Sequence, residues 1–534
     1  MSRTIKYTTL LFHTLTALPS LKSSISSSCY SNLYSHIPLP YSPSRRVKTT
    51  PTSTDCSSWR RTSNLTPSCE DMSEKGIGDN TSQSELSELS VFDYEIADLT
   101  EYDLPGNGLV LEGPSTGLEK LYDYEAGGHH PLHLGDILHD RYRVIHKLGS
   151  GGYANVWLCR DNNSSETRYV AVKIIMAEGS TPACPELRVN KLVDMGIAAE
   201  DAARHFCLPL DQFSINGPNG THHALVYPVL GPRVSRLFNK VEDDDLGDTL
   251  RKIAAQVTQA MSTLHTHGIC HGDFRPANIL ARISNLDGLS EEELFRLVGE
   301  PTQIRVTTAS REKHDIPTAP QYLVYPIIWE DIAQEHFAAR LITGEACIID
   351  FGESFEMSNP PPDLGIPQIY CPPEYVLDKR VGASCDIWAL ACTLFEIRTG
   401  RRLFDTFDDD PDEHLCQMAM ILGRLPEPWW AETWERRSYF FVDEVDADGK
   451  VVEVKRDDLR AGDVVYQKPE PRSLRESIGE GLFYEFRYKP GGIRKKIPEA
   501  EIDLLADLLE KLLKYLPEER LGVADALAHQ WFKV

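Results

Sequence analysis

The sequence predicts an α+β fold of two parts, a small β-rich lobe followed by a larger helical lobe that carries inserts. Three observations predict it. Between Arg141 and Ile175 the chain sets runs rich in β-branched and aromatic residues around glycine-rich turns, the texture of antiparallel strands. After Pro232 it becomes mainly helical, with Leu250, Ile253, Val257, Met261 and Leu264 at helical spacing across Thr249–His267. Asp386–Thr399 is apolar nearly all round, as a helix enclosed within a lobe must be.

In chain order, residues 1–70 are rich in Ser, Thr and Pro, poor in acid and without sustained periodicity. They read as a disordered tail or an Arg- and Ser-rich mitochondrial presequence, or as sequence upstream of a start at Met72. Residues 72–124 read as an acidic linker, which leaves 125–231 for the small lobe and 232–534 for the large one. Arg141–Leu148 and Asn155–Arg160 are strands flanking a glycine-rich turn, and Tyr169–Ile175 is a third. Two inserts are expected in the large lobe, at about 282–340 and 429–496. The first holds a short acidic helix, Leu289–Val298, and an extended apolar piece, Ala319–Trp329. Its own hydrophobic content predicts that it packs on the helical lobe. The second mixes charged and aromatic residues, and no internal repeat is present.

Composition narrows the function. With 41% hydrophobic and 25% charged residues the chain can bury a sizeable core, and no apolar run is long enough to span a bilayer. Residues 1–69 carry eight Lys and Arg and one acid, Asp55; the remaining 465 hold 47 bases against 79 acids, a net charge near −32. Such a body disfavours direct binding to nucleic acid and suits a basic partner, although acidity also serves solubility. The twelve cysteines are scattered with no C-x-x-C pair, which gives neither a zinc site nor a disulfide framework and points to a reducing compartment.

Several short strings carry chemistry. In LGSGGYANVWL, Gly149, Gly151 and Gly152 sit between two strands, where backbone amides can approach phosphates; alone, such a hairpin is more often just a turn. VAVKI places Lys173 in an apolar strand 22 residues after Gly151, and an inward ammonium there requires an anion. In HGDFRPANIL, Asp273 can accept the proton of an attacking hydroxyl, Arg275 can meet a transferring phosphoryl group, and Asn278 can hold a metal ion. CIIDFGES ends an apolar strand in Asp350 beside Gly352, the arrangement a further Mg²⁺ contact needs. CPPEYVL, DIWAL and PEERLGVADALAHQWF are structural. They suggest a buried Glu374–Arg520 pair and a helix capped by Asp386 that anchors the catalytic loop.

In this order and spacing the seven strings resemble the eukaryotic protein kinase domain over Arg141–Phe532. The lead-in EAGGHHPLHLGDILHDRYRVIHKLG, the hinge HALVYPVLG and TGRRLFDTFDDDPDEHLCQMAMILGRLPEPW are similar to SR-protein kinases, a branch of the CMGC group. The resemblance implies a two-lobed protein kinase fold, with ATP and Mg²⁺ as cofactors and Ser/Thr hydroxyls of basic, Arg-Ser-rich proteins as acceptors. It makes Lys173 the contact to the α/β-phosphates, with Glu186 of CPELRVNKLV as its partner, Asp273 the base, and Asn278 and Asp350 the metal ligands. The nucleotide is then held by Leu148, Gly149, Ser150, Gly151, Gly152, Val156, Ala171, Lys173, Tyr227 (the gatekeeper) and Leu230. An acidic run at Asp408–Glu413 lies where that family docks Arg-Ser segments. A monomer is expected in the cytoplasm or nucleus, with no membrane and no nucleic acid bound, or in mitochondria if the N-terminal segment is a presequence.

The sequence departs from that pattern at several positions. Ala154 replaces the last glycine of the nucleotide loop. Gly272 stands where many kinases carry arginine, which implies activity without loop phosphorylation. Arg275 replaces the usual lysine, and Cys371 an arginine below the substrate. Pro185 and a short gap adjoin Glu186. Two rival readings are a catalytically weak pseudokinase scaffold and a small-molecule phosphotransferase, whose H-G-D-x-x-x-x-N loop HGDFRPANIL also resembles. The second class typically lacks this glycine loop, the P-E of CPPEYVL and the D-x-W of DIWAL.

Overall fold

The computed structural model describes residues 108–235, 246–284, 286–329, 342–406, 409–446, 451–453, 472–485 and 492–534. The tail, most of the linker and Asp408 of the acidic run lie outside the described residues. The small lobe is a six-stranded antiparallel sheet of order β2-β3-β4-β5-β7-β6. Its strands are β2 (Ile137–Leu138), β3 (Tyr142–Ser150), β4 (Ala154–Asp161), β5 (Tyr169–Ile175), β6 (Asp211–Gly217) and β7 (Gly220–Pro228). Val144, Trp157, Val170, Val172 and Val226 alternate onto the face away from Lys173 and pack there. Between β5 and β6 run the 3₁₀ turn Pro185–Asn190 and two short helices, α1 (Lys191–Asp194) and α2 (Ala199–His205).

After β7 the chain enters the large lobe through β8 (Leu230–Arg233). There α3 (Leu246–Thr266) buries Leu250, Ile253, Val257, Met261 and Leu264, the residues whose spacing predicted it. Next come β9 (Ile269–Cys270) and β10 (Ile279–Ile283), and later β13 (Ile342–Ile348) and β14 (Phe355–Glu356). β10 pairs with both β13 and β8, and β14 with β9. Beyond them lie α5 (Pro373–Asp378), α6 (Ala383–Thr399), α7 (Pro411–Leu422), α8 (Leu474–Gly479), α9 (Glu499–Leu512) and α10 (Val523–Leu527). α6 is enclosed on all sides and forms the axis of the lobe, with Trp388, Leu390, Leu394 and Ile397 at 0% exposure. Glu374 and Arg520 form the expected pair, two parallel 2.6 Å bonds between side chains excluded from water. Among the described residues no helix is long and apolar enough to cross a membrane.

Two expectations are corrected. The first insert packs on the small lobe, not the helical one. Its helix α4 (Glu291–Val298) and strands β11 (Gln303–Thr308) and β12 (Tyr322–Val324) follow β10. Leu286, Leu294, Val298 and Ile327 cover Ile145, Leu158 and Tyr169 of the small-lobe sheet. Arg160 reaches Glu291 at 3.2 Å, and Tyr169 Oη donates to the Leu289 carbonyl at 2.8 Å. Its apolar content does demand a surface, and the small-lobe sheet supplies it, through Leu158 and Tyr169 on one face and, for Tyr322 and Val324, through Trp157 and Val172 on the other.

The acidic linker also ends earlier than expected. Residues 109–124 are folded: strand β1 (Leu109–Leu111) adds to β11, and Leu109, Leu118, Leu121 and Tyr124 bury against Ile304, Val306 and Leu323 of the insert. Spaced apolar residues within an acidic stretch supply that second layer. Glu119 then reaches Lys147 of β3 in an ion pair closed to solvent on both sides, with the ammonium also 5.2 Å from the centre of the Trp157 ring. Pro326 bridges to the Lys147 backbone, and Ile327 N donates to the Lys147 carbonyl at 2.9 Å.

Buried histidines make this fold acid-sensitive. Burial holds His129, His130, His146 and His414 down at about 4, against an ordinary value near 6.5. The folded state keeps them neutral while the unfolded chain takes up protons below pH 6.5. Their contribution is therefore complete above pH 6.5 and is lost as pH falls toward 4. His414→Gln is expected to flatten the loss of stability between pH 7 and 5 by about 2 kcal/mol, read by urea unfolding at both pH values. An unchanged slope would place the acid sensitivity elsewhere.

Candidate active site

The cleft between the lobes gathers the polar residues singled out from the sequence. Lys173 lies on β5, paired opposite Val156 and Leu225, and its side chain points inward. Its ammonium is 2.8 Å from Glu186 Oε2 and 2.9 Å from Asp350 Oδ1. Glu186 sits on a 3₁₀ turn with Pro185 at its first position, where a missing N–H costs nothing. The short gap is thus bridged by a compact turn instead of a long helix. Burial pushes the Glu186 carboxyl up, and the neighbouring ammonium opposes it. Tyr227 Oη donates to Glu186 Oε1 at 3.2 Å, a contact the sequence did not announce.

Asp350 has φ of 63°, unusual for a residue with a side chain, at the turn leaving β13. The Lys173 ammonium beside it holds its carboxyl down at about 2, so it is ionised throughout the physiological range. Phe351 packs against Phe206 and His271, with ring centres 5.9 and 5.0 Å away.

Asp273 and Asn278 belong to one hydrogen-bonded loop. Asn278 Nδ2 donates to Asp273 Oδ2 at 2.7 Å and to its carbonyl at 2.9 Å. Arg275 Nε donates to Asp273 Oδ1 at 2.9 Å. Burial raises the Asp273 carboxyl, against the pull of Arg275, which strengthens it as a base. Beneath the loop, Asp386 on α6 accepts from the His271 and Gly272 amides at 2.7 and 3.0 Å and contacts His265 Nε2 at 3.1 Å. That is the anchoring expected of Asp386; the expected cap is not made, because the helix starts at Ala383 after Gly382 and Asp386 lies inside its first turn.

Leu148, Val156, Ala171, Tyr227 and Leu230 line one apolar cluster at the cleft. The glycine hairpin above it closes with Gly151 N donating to the Ala154 carbonyl at 2.9 Å, and a side chain at Gly149 or Gly152 would meet no atom within 4 Å. Ala154 therefore already serves as the first residue of β4. This cradle stays open for a ligand. Asp350 offers its second carboxylate oxygen and Asn278 its side-chain carbonyl, a donor set that suits a hard divalent cation.

Comparison with known proteins agrees with this geometry. The protein kinase domain family matches residues 289–532. A serine/threonine-protein kinase SRPK of Physarum polycephalum is 27% identical over 441 residues, 80% of this chain and 93% of the relative. A serine/threonine-protein kinase spk-1 of Caenorhabditis briggsae is 34% identical over 206 residues, 38% of this chain and 18% of the relative. The dual specificity protein kinase CLK2 of Mus musculus is 26% identical over 420 residues, 77% and 68% of the two chains. The chain is an SR-protein-kinase-like serine/threonine protein kinase.

The backbone accounts for glycine at position 272, where many kinases carry arginine. Gly272 has φ of 80°, and a Cβ there would lie 2.2 Å from the Glu353 carbonyl oxygen. Gly272→Ala is expected to cut turnover about a hundredfold, because relief of that clash displaces Asp273; the expectation follows from a strain of about 3 kcal/mol. Turnover within threefold of the parent would show that the loop absorbs the change. Cys371 is buried, with its carbonyl held by His414 Nε2 at 2.9 Å.

Glu353, unnoticed in the sequence although it follows Gly352, turns its carboxyl toward the site. Burial and then Asp273, Asp350 and Asp363 raise it. In the acidic run, Asp410 caps α7 by accepting from Asp412 N at 2.8 Å, and Asp412 holds Trp434 Nε1 at 2.9 Å. Those two carboxylates are engaged within the fold, which leaves less of the run for a partner than the bare sequence implied.

Proposed function

We propose that the kinase transfers the γ-phosphate of ATP to serine or threonine in basic, Arg-Ser-rich proteins, acting as a monomer in the cytoplasm or nucleus. The observation that supports this acceptor class is the acidity of the site mouth, where burial and then the charges of Asp273, Asp350 and Asp363 raise the Glu353 carboxyl. An arginine beside the acceptor relieves that repulsion through charge-assisted bonds. The relatives named for SR-protein kinases point the same way.

In this reading Leu148, Val156, Ala171, Tyr227 and Leu230 enclose the base of the nucleotide, and the Gly149–Gly152 hairpin covers its phosphates. Lys173, oriented by Glu186, meets the phosphate oxygens. Asn278 and Asp350 would hold Mg²⁺, which when bound offsets phosphate charge and aligns the γ-phosphoryl group. Asp273 orients the acceptor hydroxyl and takes its proton, while Arg275 faces the transferring group. Positioning and fixed charge carry the catalysis. No arginine precedes Asp273 to bind a phosphorylated activation loop, so the unphosphorylated enzyme is expected to be active.

The test offers Mg-ATP with an Arg-Ser peptide, a Lys-Ser peptide, a general basic protein and choline. Preferential transfer to serine of the Arg-Ser peptide, with KM rising about tenfold in Glu353→Gln, is the expected result. Equal use of both peptides would remove the arginine specificity and leave the kinase. Nucleotide binding with no transfer to any acceptor would favour a scaffold.

A further inference from the structure

A pair of thiols lies outside everything the phosphotransfer chemistry uses. Cys207 stands between α2 and β6, and Cys347 lies on β13, three residues before Asp350. The two segments run side by side: Phe206 bridges to Ile348, and Cys207 N donates to the Ile348 carbonyl at 3.0 Å. The two thiols pack in one apolar cluster and shift each other's protonation in opposite directions. Arg282, on β10, brings its guanidinium to one of them, with Nη2 3.0 Å from Cys347 Sγ and 3.4 Å from the Phe206 carbonyl. Both cysteines pack in the apolar cluster that also contains Ala171, Tyr227 and Leu230, so they abut the nucleotide cleft.

The surroundings of Cys347 set it apart. Burial raises its thiol, but the neighbouring Cys207 thiol and the Arg282 charge outweigh that and hold it below the ordinary value. Cys207 is raised, by Cys347 beside it and by burial. Every other described cysteine with a shifted thiol is raised too, chiefly by burial. An electropositive neighbour marks a reactive cysteine where the thiol can be reached, and a second thiol beside it can resolve its oxidation; Cys347 is closed to bulk solvent, so peroxide has to enter by way of the adjoining cleft.

We propose that Cys207 and Cys347 form a peroxide-oxidisable pair that closes reversibly to a disulfide beside the nucleotide cleft. The Cys347 thiolate attacks one oxygen of hydrogen peroxide and the O–O bond breaks, which gives a sulfenic acid and, with one proton, water. Cys207 then attacks the sulfenyl sulfur; the S–S bond forms and a second water leaves. Two thiols and one peroxide give one disulfide and two waters, and the two electrons pass from sulfur to peroxide. Closure draws the sulfurs to about 2.05 Å and pulls the end of β13, and with it Asp350, toward the small lobe.

The reduced full-length kinase is treated with hydrogen peroxide, free thiols are blocked, and peptides are mapped by mass. A linked Cys207–Cys347 peptide is expected, two hydrogens lighter than the reduced pair. With it, kcat/KM for Mg-ATP falls at least tenfold and dithiothreitol restores it. Cys207→Ala under the same treatment should give a dimedone adduct at Cys347 and no link. Inactivation of the parent with both thiols free, or with either linked to another cysteine, overturns the proposal. Because the mapping is made on the parent protein, it stands whether or not the variant folds.

Discussion

Asp273→Asn is expected to lower the rate of phosphate transfer about a thousandfold while leaving nucleotide binding intact. The carboxylate accepts from Asn278 Nδ2 on one oxygen and from Arg275 Nε on the other, so its orientation is fixed before any acceptor arrives. An asparagine keeps the shape but turns a second amide toward the Asn278 amide or the guanidinium and cannot take a proton. General-base contributions of about 10²–10⁴ set the scale, and a thousandfold corresponds to about 4 kcal/mol in the barrier. The measurements are single-turnover transfer to a peptide and the nucleotide-dependent shift in melting temperature. Loss of transfer with an unchanged shift supports the role of base. A rate within tenfold of the parent would mean that Asp273 does no more than hold the loop.

Glu119→Ala is expected to cost about 3–5 kcal/mol, although the residue lies before the region that resembles a kinase domain. The Lys147 side chain is wholly buried and Glu119 is its ion-pair partner, so removal of the carboxylate strands a charge beside Trp157. The expected fall in melting temperature is on the order of 10 °C. The double variant Glu119→Leu with Lys147→Met should recover most of it, since two apolar side chains need no partner. A chain starting at residue 125 should show the single-variant defect, whereas one starting at Met72 should not. If Glu119→Ala melts within 2 °C of the parent, the pair contributes little and residues 109–124 are held by apolar contacts alone.

The chemistry was legible in the sequence because it is local. Asp273 and Asn278 stand five residues apart, Asp350 ends its own strand, and Lys173 sits in a strand whose bounds match those read from β-branched residues. Helix α3 declared itself through its buried stripe. What stayed hidden depends on contacts between remote segments. Glu119 and Lys147 are 28 residues apart, and Tyr169 and Leu289 are 120. Periodicity shows that a segment has an apolar face; it does not say which surface receives it. The first insert was therefore credited with its own hydrophobic content and assigned to the wrong lobe. Glu186 follows from the resemblance and not from the buried lysine, which asks only for some anion, and the 3₁₀ turn bridges the short gap beside Pro185. Glu353 was missed because a carboxylate after a glycine carries no signal until its neighbours are known.

The position of the first insert has a mechanical consequence. The chain passes from the small lobe to the large one at β8, returns after β10 to cover β3, β4 and β5, and crosses back to β13. Three covalent strands of chain thus span the joint where one hinge would suffice. Rotation of one lobe against the other must carry the insert with the small lobe that it covers, which narrows the arc through which the cleft can gape. Slow escape of spent nucleotide is the expected result: turnover should fall as solvent viscosity rises while the rate of the chemical step does not, and turnover indifferent to viscosity would count against it.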